Sequence, residues 1–324
     1  MRRIGIPWGL AAAGLVLAVV VAAAQQTAQP VIPSTVVKST ELLRDLQVLS
    51  ADDMQGRRMG TPGGLKAQAY VESRFKAVGL APIGQTFLRP FVAPTMTGLG
   101  AIHGANVVGR IDGTVRPERY LVVSAHYDHV GMRNGQIFNG ADDNASGTAA
   151  LFAIASHFRR HPPANSLLIV AFDGEEAGLA GSRAFVKASP VDRAAIRLNV
   201  NADMIGRDDS DTLWVTGTRQ QPFLKPFVQR VAARAPIRLV MGHDDPTRPG
   251  EDDWTADSDQ YAFLEAGIPA LYVGVSDERY HHRASDDFET MTLPFYVRAV
   301  ETVIRLVEEF DRGIDAVAAA GAAR

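Results

Sequence analysis

The stretch SAHYDHVGMRNGQIFNGADDNASG, residues 124–147, decides how this chain is organised. It places His126 and Asp128 at the end of an apolar, strand-like run, and a glycine-flanked acidic pair, Asp142 and Asp143, at the start of a helix. A strand end and a helix start joined by one loop form a concave corner, where open α/β sheets bind ligands. Because histidine and carboxylate groups bind divalent metals, the stretch predicts a metal site at this corner.

Strand-like and helix-like segments alternate along most of the chain. The predicted strands are 106–111, 120–125, 166–172, 196–202, a strand containing Trp214, and 270–275; the predicted helices are 40–50, 64–78, 145–160, 179–187, 221–235, 259–266 and 293–310. This alternation predicts an α/β fold with a mixed, mostly parallel twisted sheet flanked by helices on both faces. The glycine-rich segment 54–64 and the acidic, proline-broken segment 242–259 are predicted to be loops.

Length and charge limit the class of protein. A chain of 324 residues with 46% apolar content suits one large domain, placed at residues 35–313. The formal net charge is −3 and no long basic run is present, which argues against nucleic acid or an anionic membrane surface as a partner. The chain has no cysteine and therefore no disulfide.

The two ends of the chain have compositions of their own. Two arginines, an apolar run and small residues before Gln25 are the pattern of a secretory signal peptide over residues 1–24, followed by a polar linker at 25–34. This predicts an exported protein, periplasmic or secreted, with no stable membrane partner after cleavage. An uncleaved membrane anchor is the alternative, since the apolar run is near the shortest that spans a bilayer. The alanine-rich residues 314–324 are predicted to form a flexible tail.

Residues with metal-binding groups also follow later predicted strands. Glu175 and Glu176 follow one strand, Asp203 follows the next, and His281 and His282 follow the last. The carboxyl ends of such strands meet at one edge of a sheet, so these groups are expected to converge. Taking one residue from each place gives five candidate metal ligands: His126, Asp143, Glu176, Asp203 and His282.

Five nitrogen and oxygen ligands exceed the four of a tetrahedral zinc site, and they suit two metals that share one carboxylate. Asp143, short and flanked by glycine-rich sequence, is the best candidate for the shared ligand. Without thiolates the set indicates zinc, and cobalt or manganese can substitute. We therefore predict two Zn²⁺ per chain.

Residues next to the candidate ligands are suited to orient a ligand or to act as a base at the same site. Asp128 is placed to accept a hydrogen bond from the non-ligating nitrogen of His126 and so fix its tautomer. Adjacent glutamates on regular backbone point in different directions, so one of Glu175 and Glu176 can bind metal while the other faces the reacting water. A carboxylate in that position is suited to act as a general base.

At this point the sequence resembles a known family. HYD, GADDNASG, DGEEAG, DMIG and the spacing from His282 to Asp286 are similar to the zinc aminopeptidases of peptidase family M28, which include secreted bacterial leucine aminopeptidases. The resemblance covers roughly residues 40–310 and includes the segment SDQYAFLEAGIPAL. Five motifs in the family's order are far more specific than any one alone.

The resemblance implies roles for individual residues. It implies a bridging Asp143, a first zinc on His126 and Asp203, a second zinc on Glu176 and His282, Glu175 as general base, and Asp128 as the residue that orients the first histidine. It also implies a cis peptide bond between Asp143 and Asn144. The activity it implies is removal of N-terminal residues from a peptide or amino-acyl substrate.

The sequence departs from the family pattern at the last histidine. Some members have a tyrosine immediately before it, where it can stabilise the oxyanion, whereas this chain has His281 there and Tyr280 one step earlier. The long protease-associated insert of some relatives is missing, so substrate selection is expected to rest on the loop 242–259.

Other interpretations remain open at the level of sequence. Taken singly, GADDNASG also fits a helix cap, and Glu175 and Glu176 fit first-turn carboxylates of a helix. Rival functions are a glutaminyl cyclase-like acyltransferase with one zinc, a carboxypeptidase or dipeptidase of the same family, and a non-catalytic binding protein on the same fold. The histidines without such context are expected to be ordinary surface or packing residues: His103, His129, His157, His161 and His243.

Overall fold

The computed structural model of the protein describes residues 31–94, 100–248 and 250–322. The predicted signal peptide and the first part of the predicted linker lie outside the described residues. None of the helices within these ranges is both long enough and apolar enough to cross a membrane.

The helices lie close to where the sequence predicts them. They are α1 (Ser39–Leu49), α2 (Pro62–Ala77), α3 (Gly147–Arg160), α4 (Ala180–Lys187), α5 (Lys225–Ala232), α6 (Gln260–Glu265) and α7 (Leu293–Ala322). Two bounds differ from expectation. The segment 221–235 is split into a 3-10 turn, Pro222–Leu224, followed by α5. Helix α7 continues past Phe310, through most of the segment predicted as a flexible tail.

The strands include several that the sequence did not predict. They are β1 (Ala81–Pro82), β2 (Leu88–Pro94), β3 (Ala101–Ile111), β4 (Arg116–His126), β5 (Gly131–Arg133), β6 (Gln136–Phe138), β7 (Asn165–Phe172), β8 (Ile196–Ala202), β9 (Thr212–Thr216), β10 (Arg238–Met241) and β11 (Ala270–Gly274). The unpredicted ones are β1, β2, β5, β6 and β10, most of them too short for a periodic pattern. Strand β2 carries Pro90 and Pro94, which cannot donate ladder hydrogen bonds, and it lies outside the main strand path.

Over the described residues nine strands form one mixed sheet. The order is β1-β3-β7-β4-β8-β11-β9-β10, with β2 also paired to β3. The central neighbours β7, β4, β8 and β11 are mutually parallel, whereas the pairings of β3 with its neighbours and of β9 with β11 are antiparallel. The predicted mixed sheet is confirmed, and its parallel part is concentrated at the centre.

Helices cover both faces of this sheet. In β4 the side chains of Leu121 and Val123 belong to one apolar cluster and Val122 to the other, which is the two-residue alternation of a strand buried on both sides. The first cluster includes residues from α1, α2, α3, α5 and α7, and the second includes residues from α4 and α6. The central strands are thus fixed from both sides, which fixes the positions of the loops at their ends.

Candidate metal centre

The four parallel central strands bring the predicted ligands together. His126 is the last residue of β4, Asp203 directly follows β8, Glu176 lies in the turn after β7, and His282 lies in the turns after β11. These strands are neighbours in the sheet and point the same way, so their carboxyl ends meet at one edge. The convergence that the sequence predicted is present.

One group of donors surrounds His126. Its Nε2 lies 3.1 Å from Oδ1 of Asp203 and 3.4 Å from Oδ1 of Asp143. All three side chains are buried. Three donors leave room for a further ligand on a tetrahedral ion, as in catalytic zinc sites.

A second group forms around the other oxygen of the same aspartate. Nε2 of His282 lies 3.2 Å from Oδ2 of Asp143 and 2.9 Å from Oε1 of Glu176. Asp143 therefore faces one group with each carboxylate oxygen, which is the arrangement expected of a shared ligand.

The hydrogen bonding of the donor groups is incomplete in a way that a bound metal ion would complete. Oδ2 of Asp143 is buried and has no hydrogen-bond partner among the described residues, although histidine nitrogens surround it. A buried carboxylate oxygen left unpaired is costly, and a cation supplies the missing partner. Imidazole and carboxylate ligands without thiolates suit zinc.

The acidic pair is divided between two tasks. Oδ1 of Asp142 points away from the donor groups and accepts the backbone N–H of Gly206 at 2.7 Å, whereas Asp143 points into them. The peptide bond between Asp143 and Asn144 is cis, as the resemblance implied. Both aspartates lie in the turn Ala141–Ser146 that precedes α3, and the backbone departs from helical geometry at Asp143 and Asn144.

Asp286 holds this turn from below. Its carboxylate accepts the backbone N–H groups of Asp142 at 3.0 Å and of Asp143 at 3.1 Å. Arg207 donates from Nη2 to Asp286 at 2.7 Å and from Nη1 to Asp277. The turn that carries the shared ligand is thus fixed by a buried network of charged groups.

Arg57 fixes the same turn from the opposite side. Its side chain is fully buried, which the loop prediction for 54–64 did not anticipate. The backbone starts a 3-10 turn at Asp52 and then takes positive φ at Gln55, Gly56 and Arg57. The guanidinium donates to the carbonyl oxygens of Tyr127 and Gly140, each at 2.8 Å, and of Asn139 at 2.5 Å. Burial lowers the pKa of Arg57 to about 10, and the nearby carboxylates, Asp143 first, oppose that shift. Arg57 therefore stays charged at neutral pH.

Asp128 connects a predicted ligand with the predicted base. Its Oδ1 accepts the backbone N–H of Glu175 at 3.1 Å and lies 3.7 Å from Nδ1 of His126. The same Nδ1 lies 3.1 Å from the main-chain carbonyl oxygen of Asp128. The orientation of His126 therefore depends on both the main chain and the side chain of Asp128.

Burial and neighbouring charges shift the pKa values of the carboxylates in the cluster. Burial raises the pKa of Asp143, but the histidines, His129 first, outweigh it and hold that pKa well below its usual value. Burial and Asp143 raise the pKa of Glu176, and the nearby imidazoles of His129 and His282 bring it down to about 2. Burial raises the pKa of Glu175 well above its usual value, while His126 opposes that shift. A raised carboxyl pKa is suited to a group that takes up a proton and returns it.

The two residues before His282 lie in different surroundings. His281 is half-exposed, its Nε2 lies 3.7 Å from Oδ2 of Asp143, and it lines the cleft that contains Glu175. The ring of Tyr280 lies 4.3 Å from the guanidinium carbon of Arg207 and lines a neighbouring cavity. His281 is therefore the one of the two that faces the donors.

His129 belongs to the cluster, although the sequence placed it among ordinary histidines. It is fully buried, and its Nδ1 lies 2.9 Å from Oε1 of Glu176 and 3.4 Å from Oδ2 of Asp143. The available signal was its position directly after Asp128, three residues from His126 in the loop that carries the site.

The donors open into a cleft of about 600 Å³. Its lining includes Glu175, Asp203, Met204, Tyr272 and Val275, together with Asp252, Asp253, Trp254 and Asp257 from the loop 242–259. The indole of Trp254 stacks on the ring of His243 at a centroid distance of 3.5 Å. The loop expected to select substrate thus forms one wall of the cleft, with a fixed aromatic ring and several carboxylates.

Histidines and carboxylates gathered at the carboxyl edge of a parallel-centred α/β sheet are typical of a metal-dependent enzyme. The comparisons with known proteins narrow this class. The model of peptidase family M28 matches residues 106–307, and the chain belongs to that family, which is one of zinc metallopeptidases.

Relatives and solved structures agree with this assignment. A probable zinc metalloprotease of Pyrenophora teres f. teres is 27% identical over 217 residues, which cover 56% of this chain and 44% of that protein. The chain thus matches less than half of that relative's length. A zinc aminopeptidase from Bacillus subtilis superposes with a TM-score of 0.67 at 16% identity, covering 85% of this chain and 95% of that one. The Porphyromonas gingivalis glutaminyl cyclase gives 0.70 at 18%, covering 85% and 99%. These two likenesses show a shared fold.

Proposed function

We propose that this protein is an exported aminopeptidase with two zinc ions, which removes N-terminal residues from peptides. The observation that carries the proposal is Asp143, whose two oxygens face two separate donor groups within a cleft that also contains Glu175. One shared carboxylate with a free carboxylate nearby is the arrangement that hydrolysis by two metals requires.

The wall of the cleft supports an exopeptidase that acts at the amino end. Asp252, Asp253 and Asp257 line it, and Glu278 lines the same cleft. The neighbouring carboxylates and burial raise the pKa of Asp257, with burial as the larger cause. A protonated α-amine of a peptide is attracted by such a field, whereas a substrate carboxylate is repelled.

The chemistry assigns a task to each group of this chain. The two donor groups would hold zinc, and zinc bound there would polarise the scissile carbonyl and lower the pKa of the attacking water. Glu175 takes the proton of that water and later returns it to the leaving amine. Asp128 holds the main chain of Glu175 and the ring of His126 in place. Trp254 and Tyr272 present apolar surface to the side chain of the residue that is removed.

Export is the part of the proposal that rests on the N-terminal sequence. The charged start, apolar run and small residues of segment 1–24 support it. Fractionation of expressing cells, with the mature N-terminus determined by mass spectrometry, tests it. A mature chain that begins near Gln25 in the periplasm or medium supports export, and a full-length chain held in the membrane contradicts it.

The activity is tested with leucine p-nitroanilide and its N-acetylated form. Purified protein is assayed as isolated, after chelation, and after zinc is restored. We expect cleavage of the free-amine substrate alone, its loss on chelation and its recovery with zinc. A parallel assay with an N-terminal glutaminyl peptide, followed by mass spectrometry for loss of ammonia, examines the cyclase alternative. Cyclisation without cleavage of the anilide by zinc-loaded protein would sink the aminopeptidase proposal.

A further inference from the structure

His129 sits in the second donor group with both ring nitrogens buried. It is fully buried, and it leaves β4 in the same loop as Asp128. The ring packs against Gly140, where a Cβ atom would come within 2.5 Å of Cδ2 of His129. Because Gly140 has a φ of +57°, this close approach is one that glycine allows and other residues do not. The ring is therefore held in a fixed position beside the shared aspartate.

The ring nitrogens of His129 have no hydrogen-bond partner in the described structure. Nδ1 is nevertheless 2.9 Å from Oε1 of Glu176 and 3.4 Å from Oδ2 of Asp143. Nδ1 is thus close to both carboxylate oxygens, but the angles at the imidazole nitrogen are not those of a hydrogen bond. A buried imidazole without a partner is costly, so something further is expected to bind it.

The distances agree with ligands around one ion. Zinc bonds of about 2.0–2.1 Å in a tetrahedron place neighbouring ligand atoms about 3.3 Å apart. The corresponding distances here are 2.9 and 3.4 Å for Nδ1 of His129, and 2.9 and 3.2 Å for Nε2 of His282. The four ligand atoms of His129, Asp143, Glu176 and His282 all lie within 4.8 Å of one another.

We propose that His129 is a fourth protein ligand of the second metal, bound through Nδ1. The inference rests on the proposed two-metal function and adds a ligand that neither the sequence motifs nor the resemblance assigns. It makes the two sites unequal. The site of His126, Asp143 and Asp203 has three protein ligands and an open position, whereas the site of His129 has four and is closed in the manner of structural zinc sites. The second metal is then held more firmly and takes little part in activating water.

A hydrogen-bonding role is the competing explanation. In that case Nδ1 of His129 would donate a hydrogen bond to the carboxylate of Glu176 and orient it, without itself binding metal. The two explanations differ in which side chain can substitute for His129. In an asparagine at this position Oδ1 takes the place of Nδ1 and can bind zinc, whereas in a glutamine the oxygen takes the place of Nε2, on the far side of the ring.

Zinc binding is measured on the whole chain by metal content after dialysis and by competition with a chromogenic chelator. The variants are H129A, H129N and H129Q, with H103A as the control because His103 is an exposed histidine on β3. We expect wild type and H103A to bind two zinc ions. We expect H129A and H129Q to bind one of the two about 100-fold or more weakly, and H129N to recover part of that affinity. Cobalt-substituted protein is expected to lose visible absorption from one site in H129A.

The outcomes separate this inference from the proposed function. Two zinc ions bound by H129A with wild-type affinities overturn the ligand role, even if the enzyme is an active aminopeptidase. Equal recovery by H129N and H129Q also overturns it, because the position of the donor atom would not matter. Two zinc ions in the wild type, one of them weakened in H129A and H129Q and partly restored in H129N, support the ligand role; if no N-terminal substrate is then cleaved, the aminopeptidase proposal is refuted. Far-UV circular dichroism in excess chelator checks that each variant folds.

Discussion

The carboxylate of Asp128 accepts a hydrogen bond from the main-chain N–H of Glu175 at 3.1 Å and lies 3.7 Å from Nδ1 of His126. One side chain thus connects the predicted general base with a predicted metal ligand. Asp128 is itself fully buried, so neither contact is shared with solvent. Its substitution should therefore affect proton transfer as well as metal binding.

Two substitutions of Asp128 separate these contacts. Asparagine retains an oxygen for the N–H of Glu175 but loses the charge near His126, so we expect D128N to lower kcat by about tenfold. D128A also removes the oxygen, and we expect a loss of roughly 100-fold together with weaker binding of one zinc. Steady-state kinetics and metal content measure both, with the exposed Asp112 substituted as D112N for comparison. Equal kinetics of D128N and D128A would show that the hydrogen bond to Glu175 is unimportant.

Glu175 is the residue on which the proposed proton transfer depends. We expect E175Q to lower kcat by about 10³-fold, because the amide cannot accept the proton of the attacking water. Metal content and KM should change little, since Glu175 lies outside both donor groups. The exposed Glu118 on β4, substituted as E118Q, is the matched control. Activity of E175Q within a few-fold of wild type would assign the base to another group.

His281 and Tyr280 can be distinguished by the cavities that they line. We expect H281F to lower kcat by about tenfold, because His281 faces the donors at the cleft and can stabilise negative charge on the substrate carbonyl oxygen. Tyr280 lies over Arg207 in the neighbouring cavity, so Y280F should retain kcat. The comparison of kcat for the two variants decides between them, and a larger loss in Y280F would reverse the assignment.

The hydrogen bonds of Arg57 are expected to stabilise the fold as well as to position the candidate site. R57M leaves several buried carbonyl oxygens without a donor, so we expect the free energy of unfolding to fall by about 3 kcal/mol or more. Its exposed neighbour, substituted as R58M, should lie within about 0.5 kcal/mol of wild type. Chemical unfolding of metal-free protein measures both changes. Similar unfolding midpoints for R57M and wild type would contradict the structural role of Arg57.

Glu308 gives a stability prediction that depends on pH. A hydrogen bond from His157 at 2.9 Å is the main reason why the pKa of Glu308 falls from 4.5 to about 2. A carboxyl pKa that is lower in the folded chain stabilises the fold above the unfolded value, near pH 4.5, and this contribution is lost as the pH falls toward 2. Glu308 is partly exposed, so we expect E308Q to cost at most about 1 kcal/mol at pH 7.

Denaturant titrations of wild type and E308Q between pH 7 and pH 3 test this expectation. The difference in the free energy of unfolding should shrink as the pH falls below about 4.5. A difference that is constant with pH would mean that the charge of Glu308 contributes nothing.

Much of the site could be predicted because its residues follow strong strand signals. His126, Asp203, Glu175 and Glu176 each come directly after a run of apolar residues that reads as a buried strand, and parallel neighbours bring such ends together. His282 was found by its spacing from Asp286, whose carboxylate holds the backbone of Asp143. In these cases the local pattern and the sheet topology point to the same place.

His129 and Arg57 could not be predicted because their surroundings are not local. Nothing in the sequence near Arg57 indicates that its guanidinium contacts carbonyl groups some 70 to 83 residues later. His129 directly follows the HYD motif, but its burial depends on Gly140 and on donors from other loops. The short strands β5, β6 and β10 could not be predicted for a similar reason. Three or four residues show no periodicity, and such strands are specified by the strands with which they pair.

The donor groups draw on positions that span the chain from His126 to His282. The ligands of the first group are all present once Asp203 has been synthesised, whereas the second group also needs His282, so the two-metal site is completed late in synthesis. A nascent or clipped chain that lacks the last loop still contains His126 and Asp203 but cannot assemble the second group. For the exported aminopeptidase that we propose, this order would keep the peptidase inactive until the whole chain has folded, without a separate inhibitor.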